Sequence, residues 1–505
     1  MNKKISLCIH GHFYQPPREN PWTNEIEPQP SAAPFHDWNE RILQECYKPN
    51  SEAVIVDEHD NVIRRVNNYE YFNFDFGPAL LSWIKKKHPK TYERIIDADK
   101  KSLQFHNNHG NAIAMVYNHI IMPLANRNDK ITQVKWGIAD FKFHFGREPE
   151  AMWLPETACN EETLEVFTEA GIKYIILDPS QASKVRKIHH GKWKDVSSGN
   201  IDPEIPYKCY LKKHPEKFIN IFFYNGALSK NIAFDDHIFD SSRLFHRLEQ
   251  IPVSNKKPVN LISAAVDGET FGHHKHYTER TLSYLFSELI PQSNFKIVNF
   301  GEYLASHIPE YEVKIKSGIN NEGTSWSCPH GVGRWKENCG CGRSQENPSQ
   351  QWRKPLRDVL LWLRDQLIVI YQDIGNHFFN DVWKARNEYI SLILNPDKET
   401  KENFFYFNAK QFLNGNESEI CIKLLEMQKD SMLMFTSCGW FFSDISGIET
   451  IQILKYASRA IELAKEVSVI DLEKEFLERL SAAKSNLNKY KDARDMYLKE
   501  VKAKI

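Results

Sequence analysis

Asn260-Leu-Ile-Ser-Ala-Ala-Val-Asp267-Gly-Glu269-Thr-Phe-Gly-His273-His274 is an apolar run that stops abruptly at two carboxylates and two histidines. A short apolar run bounded by a turn signal reads as a buried strand. Alternation along it places Asp267 and Glu269 on one side, and Gly268 allows a ligand or another backbone to come close. A turn capped by Asp and Gly is the plainer reading. Two acidic residues beside two histidines at one strand end favour a functional site.

Working outward, runs of the same kind recur at Ile5 to Ile9, Ala151 to Leu154, Tyr174 to Leu177, Phe218 to Tyr224 and Phe295 to Val298. Amphipathic helical stretches separate them, such as Asn160 to Ala170, which stops at Gly171 as a helix C-terminus does. This β-then-α rhythm predicts a parallel α/β sheet or barrel. The ends of the runs carry His10 and His12, Glu156, Asp178, Asn225, Asp267 and Glu269. In parallel α/β folds, chemistry is built at the carboxyl ends of strands.

From about Glu346 onward Trp352 to Tyr371, Val382 to Leu394, Ser418 to Met434 and Ile448 to Val467 have helical periodicity, followed by a highly charged segment from Asp471. The expected division is a barrel at 1–310, a Cys- and Gly-rich loop near the active site at 311–350, and a helical domain at 351–505. A length of 505 residues suits such a division. The formal charge of −1 provides no global field for nucleic acid or an anionic membrane, and the apolar stretches are too short to span one. A neutral substrate and a cytoplasmic location are expected, since nine scattered cysteines do not suggest a secreted disulfide framework.

In Ala151-Met-Trp-Leu-Pro-Glu156-Thr, Pro155 keeps Leu154 out of a helix, so Glu156 stands at a turn after a strand. It reads either as a first-turn carboxylate of the next helix or as a rim carboxylate aimed into a cleft. Glu156 and Asp267 together can supply the two carboxylates of glycoside cleavage, one attacking the anomeric carbon and the other protonating the leaving oxygen. Sugar rings stack their C–H faces on aromatic rings, for which Trp153, Trp326 and Trp440 are candidates.

His10-Gly-His12-Phe-Tyr-Gln15-Pro16 resembles the His-Gln-Pro region of glycoside hydrolase family 57, with extra residues between His12 and Gln15. Asn118-His119-Ile-Ile-Met-Pro123 resembles its second region, Trp153-Leu-Pro-Glu156 the third, and Asp267-Gly-Glu269-Thr-Phe-Gly-His273-His274 the fourth. The resemblance implies an incomplete (β/α)7 TIM-like barrel followed by a mainly helical C-terminal domain. It also implies retaining chemistry on α-glucans, as hydrolysis or transfer, with Glu156 as nucleophile and Asp267 as acid/base and with no cofactor. Substrate contacts are expected from His10, His12, Gln15, His119, Trp153, Glu269, His273, His274, Trp326, His330, Arg334 and Trp440. The segment Thr436-Ser-Cys438-Gly-Trp440-Phe-Phe-Ser-Asp444 is similar to a helical domain found on a poorly characterised branch of the family, and it predicts that Trp440 lies at the cleft rim.

Two other readings stand beside this one. A metal-dependent polysaccharide deacetylase would use His10, His12, Asp267 and His273 as ligands, and a non-catalytic glucan-binding protein would keep the pocket without turnover. The loop Ser327-Cys328-Pro-His330-Gly-Val-Gly-Arg334-Trp-Lys-Glu-Asn-Cys339-Gly-Cys341 has four soft ligands, though Cys-x-His and Cys-x-Cys are tighter than the usual zinc knuckle. It reads as a structural zinc site, as packed or redox thiols, or as a loop folded over the active site. The last is the reading adopted, with His330 or Arg334 reaching substrate and no metal assigned.

Overall fold

A computed structural model describes residues 4–252, 261–342 and 349–504. Asn260, where one strand run begins, and Glu346, from which the helical periodicity is expected, lie outside these residues. The parallel strands are β1 (Ile5–Phe13), β2 (Asn73–Phe76), β3 (Ala114–Met115), β4 (Met152–Trp153), β5 (Tyr174–Leu177), β6 (Phe218–Phe223), β7 (Leu261–Asp267) and β8 (Phe295–Ile297). β1 is buried from Ser6 to Phe13, as a strand covered on both faces must be.

β1 is central. It pairs in parallel with β7 from Ser6↔Leu261 to His12↔Asp267, with β8 at its start, and with β2 through His10↔Asn73 and His12↔Asp75. Parallel bridging continues from Phe74↔Ala112 through β3 and β4 to Ala151↔Tyr174 and then through β5 to β6. At the other end Asn225 N, just after β6, donates to Ser263 O of β7 at 2.8 Å. The carboxyl ends of these strands therefore share one side, which gathers His12, Glu156 and Asp267.

Tyr311–Ile315, expected as the start of a loop, is a strand instead. It pairs in parallel with Tyr207–Tyr210, which is antiparallel to β6, and antiparallel with Ala182–Lys187, so it extends the sheet.

The helices that matter for the site are α1 (Arg127–Phe145), α2 (Arg353–Phe378), α3 (Gly415–Leu433), α4 (Cys438–Phe441) and α5 (Ile448–Ser468). α3 packs against both α2 and α5. The helical region is joined to the α/β region by an apolar cluster continuous through both. A buried ion pair also crosses the join: Arg386 Nη1 lies 2.9 Å from Asp129 Oδ1 of α1 and donates to Gln428 Oε1 of α3 at 3.0 Å. Among the described residues no helix is long and apolar enough to cross a membrane.

Candidate active site

Strand alternation turns His10 and His12 to one side of β1, and the β1–β2 register sets Asn73 and Asp75 beside them. His10 Nδ1 lies 2.8 Å from Asn73 Oδ1, and its Nε2 lies 3.0 Å from Asp75 Oδ1. The other oxygen of Asp75 accepts from His12 Nδ1 at 2.9 Å. His12 Nε2 is 3.2 Å from His119 Nε2, and His119 Nδ1 is 2.7 Å from Ser437 Oγ. A continuous polar chain thus runs from β2 to the segment just before α4. Trp153 covers it, its ring stacked on His10 at 4.6 Å and on His12 at 5.0 Å.

Burial alone would lower the pKa of His12, but Asp75, followed by Asp267 and Glu269, outweighs burial and raises it to about 9. Burial, assisted by the charge on His12, pushes His119 well below the ordinary histidine value. The proton order follows from this pair of shifts. His12 is the cation, its Nε2–H donates to the bare His119 Nε2, and the remaining His119 Nδ1–H donates to Ser437.

Glu156 follows β4 and Pro155 in a tight turn, with Glu156 at φ 57° and Thr157 at φ 49°. Left-handed backbone is costly for such side chains and clusters at functional sites; His119 shares it at φ 53°. Glu156 does not cap the next helix, because the Asn160 side chain accepts from Thr163 N and does so instead. Its Oε2 accepts from Trp326 Nε1 at 3.0 Å and from Ser327 Oγ at 2.5 Å, and its backbone oxygen accepts from Trp326 N at 3.0 Å. Burial first, and the charge of Asp267 in addition, raise the pKa of Glu156, against the opposing pull of Ser327, Trp326 and the Arg334 guanidinium.

β7 stops at Asp267, which is exposed, so alternation does not carry through to Glu269. Instead the chain turns at Gly268, where a Cβ would sit 2.3 Å from Phe13 Cδ1: an aromatic ring, and not a ligand, is what comes close there. Glu269 is buried, and its Oε1 accepts from Tyr47 Oη at 2.5 Å and from Tyr14 N at 3.0 Å. Burial and the neighbouring Asp267 raise its pKa to about 7.

Several residues expected to contact substrate are engaged by other side chains. Gln15 is buried and accepts from Arg18 Nη2 at 2.9 Å. His273 is tied to Glu45 and sits edge-on to Trp38, which removes it from any ligand set with His10 and His12; His274 is exposed. His330 lies 3.5 Å from Cys341 Sγ, within the cysteine loop. Arg334 is buried over the Phe441 ring. Trp440 contradicts the expected rim position: it is fully buried, with Arg357 lying 3.9 Å over its ring and its Nε1 donating to Arg353 O at 3.4 Å, so it has no face free for a sugar.

The deacetylase ligand set does not assemble. Asp75 occupies both histidines, and the group of possible metal ligands found among the described residues is Cys328, His330, Cys339 and Cys341. A cavity of about 950 Å³, lined in part by Tyr14, Trp83, Tyr117 and Tyr456, holds neither Glu156 nor Asp267. The residues not anticipated are Asn73, Asp75, Ser327 and Ser437. Of these, Asn73 and Asp75 carried a signal, the polar alternation of Asn73-Phe-Asp75-Phe opposite the two histidines.

Residues 9–316 match the glycosyl hydrolase family 57 model, and residues 349–505 match a domain of unknown function, DUF3536. Alpha-amylase 1 of Dictyoglomus thermophilum is 29% identical over 263 residues, covering 50% of this chain and 34% of the relative. A 4-alpha-glucanotransferase of Thermococcus litoralis is 21% identical, covering 51% and 36%. The chain thus spans about a third of the length of these curated relatives. In fold it is similar to an exo-type maltose-forming amylase of Pyrococcus sp. ST04, with a TM-score of 0.67 and 16% identity over 94% of this chain and 82% of that one. A family 57 branching enzyme of Thermococcus kodakaraensis gives a TM-score of 0.55 at 13% identity over 99% and 96%. With the family match covering more than half of its residues, this chain belongs to glycosyl hydrolase family 57.

Proposed function

We propose that the protein is a retaining α-glucan hydrolase or transglycosylase working by double displacement in a (β/α)7 barrel left incomplete between β6 and β7. The observation that carries the reading is the setting of Glu156, whose two side-chain donors both go to Oε2. Oε1 is then the oxygen that attacks the anomeric carbon. Asp267, exposed at the end of β7, protonates the departing glycosidic oxygen and afterwards takes the proton from incoming water or a sugar hydroxyl. Retention calls for a carboxyl separation of about 5–5.5 Å in the working cleft. The family membership and the names of the curated relatives support an α-glucan as the substrate. Trp153, His12 and His119 shape the cleft floor, and Trp326 is the aromatic ring best placed to meet a sugar. A cytoplasmic location belongs to the same proposal.

The test is incubation with α-1,4- and α-1,6-linked oligosaccharides, with products resolved by chromatography and the first-formed anomer read by NMR. Retained α-configuration is expected, with turnover abolished in Glu156→Gln and kept on a glycosyl fluoride in Asp267→Asn. Absence of cleavage and transfer on every substrate, or full activity in Glu156→Gln, overturns the proposal.

A further inference from the structure

We propose that Cys328, His330, Cys339 and Cys341 form a structural zinc site that pins the loop carrying Trp326 and Ser327 against Glu156. The four ligand atoms lie within 4.8 Å of one another. Cys328 Sγ is 3.9 Å from both Cys339 Sγ and Cys341 Sγ, and Cys341 Sγ is 3.5 Å from His330 Nδ1. A tetrahedral zinc with Zn–S of about 2.3 Å and Zn–N of about 2.0–2.1 Å has S···S edges of about 3.8 Å and S···N edges of about 3.5 Å. A disulfide needs sulfurs about 2.05 Å apart, so no bridge joins these thiols. Packed thiols would account for the sulfur contacts but give no reason for an imidazole nitrogen to complete the cluster.

The backbone is shaped for this convergence. Gly331 and Gly340 adopt φ 80° and 78°, which turns the chain directly after His330 and again between Cys339 and Cys341. That turn is how the tight Cys-x-Cys spacing brings both sulfurs to one point. Charge gives independent support. Zinc with three thiolates and a neutral imidazole carries a net charge of −1. Arg353, fully buried at the start of α2, donates from Nη1 to Cys341 O at 3.0 Å and lies 3.9 Å from Cys339 Sγ. Among the described residues no carboxylate forms an ion pair with it, and a buried guanidinium needs an anion. His330 is exposed while Cys328 is buried, so the metal has an entry path from solvent and an apolar floor. Ser327, the donor to Glu156, is bonded directly to Cys328 in sequence.

The test is metal content, which is independent of any glycosidase activity. Full-length protein produced with Zn²⁺ in the medium and purified with a thiol reductant is expected to carry one zinc per chain by plasma mass spectrometry. Titration with an organomercurial should release that zinc as three thiols are consumed. Exchange with Co²⁺ should give the d–d and thiolate charge-transfer bands of a tetrahedral S₃N site. Cys339→Ser and His330→Ala should lower zinc content, whereas Cys421→Ser, in α3, should not. Protein without stoichiometric zinc that gains no Co²⁺ spectrum overturns the proposal, as does wild-type zinc content in Cys339→Ser. If that variant does not fold, zinc release from the wild type without consumption of three thiols is equally decisive against it.

Discussion

Asp75→Asn is the substitution that best tests the electrostatic reading of the cleft floor. Asp75 is completely buried and touches both histidines of β1, and Asn has nearly the same shape without the charge. In the wild type His12 is raised from 6.5 to about 9, with Asp75 the first of the groups that outweigh burial. That rise corresponds to about 3 kcal/mol of folding stability. Because the folded value is the higher one, this stabilisation is fully present below about pH 6.5 and is lost as the pH climbs through about 9. In Asp75→Asn burial is no longer outweighed by its main opponent, so His12 is neutral at pH 7 and the loss disappears. Urea unfolding of both proteins, in steps from pH 6 to above about 9, measures it. The stability gap should narrow by about 3 kcal/mol across that window. Parallel curves would show that Asp75 does not hold His12 as a cation, and the proton order from His12 through His119 to Ser437 would go with it.

Ser327→Ala removes a hydrogen bond to a carboxylate, worth about 1.5–3 kcal/mol. Because the lost donor favoured the ionised form, the acid limb of kcat/KM should move to higher pH, with activity about 10- to 100-fold lower on that scale; an unmoved acid limb in a pH–rate profile refutes the role. Gly268→Ala places a Cβ against the Phe13 ring and should cost about 1–3 kcal/mol by thermal unfolding. Phe13→Leu should recover part of that loss in the double variant, and simple additivity would contradict the contact. Trp440→Ala should destabilise by about 3–5 kcal/mol, a core penalty. A glucan affinity that falls while stability is unchanged would restore the rim position for that ring.

Strand ends were legible in the sequence because β1, β4, β5, β6 and β7 are apolar runs whose terminal residues change character sharply. That is why Glu156 and Asp267 stand out, each placed after its run. β2 is less visible because its four residues alternate polar and apolar, the pattern of a strand with one wet face. All four are in fact buried, and the polar pair is satisfied by histidines on β1, a partner that lies more than sixty residues away in sequence. Tyr311–Ile315 alternates in the same way and runs into a segment rich in Gly, Ser and Asn, so it reads as the start of a loop although it is paired on both sides. Trp440 went wrong for a different reason. Three consecutive aromatics require cover, but local sequence cannot tell whether the cover is a cleft or, as here, the arginines of α2.

The hydrogen bonds to Glu156 bear on what should be treated as a unit. The family match ends at residue 316, whereas both side-chain donors to Glu156 Oε2 follow that boundary, and the residue hydrogen-bonded to His119 Nδ1 is later still. A fragment cut at the homology boundary would keep all four sequence motifs and both carboxylates, yet it would give Glu156 up to water and leave the His12–His119 pair open at one end. The segment that matches the family model and the segment that supplies the hydrogen bonds to Glu156 are therefore different lengths of chain. A domain swap or minimal enzyme designed from this protein has to carry residues through Ser437.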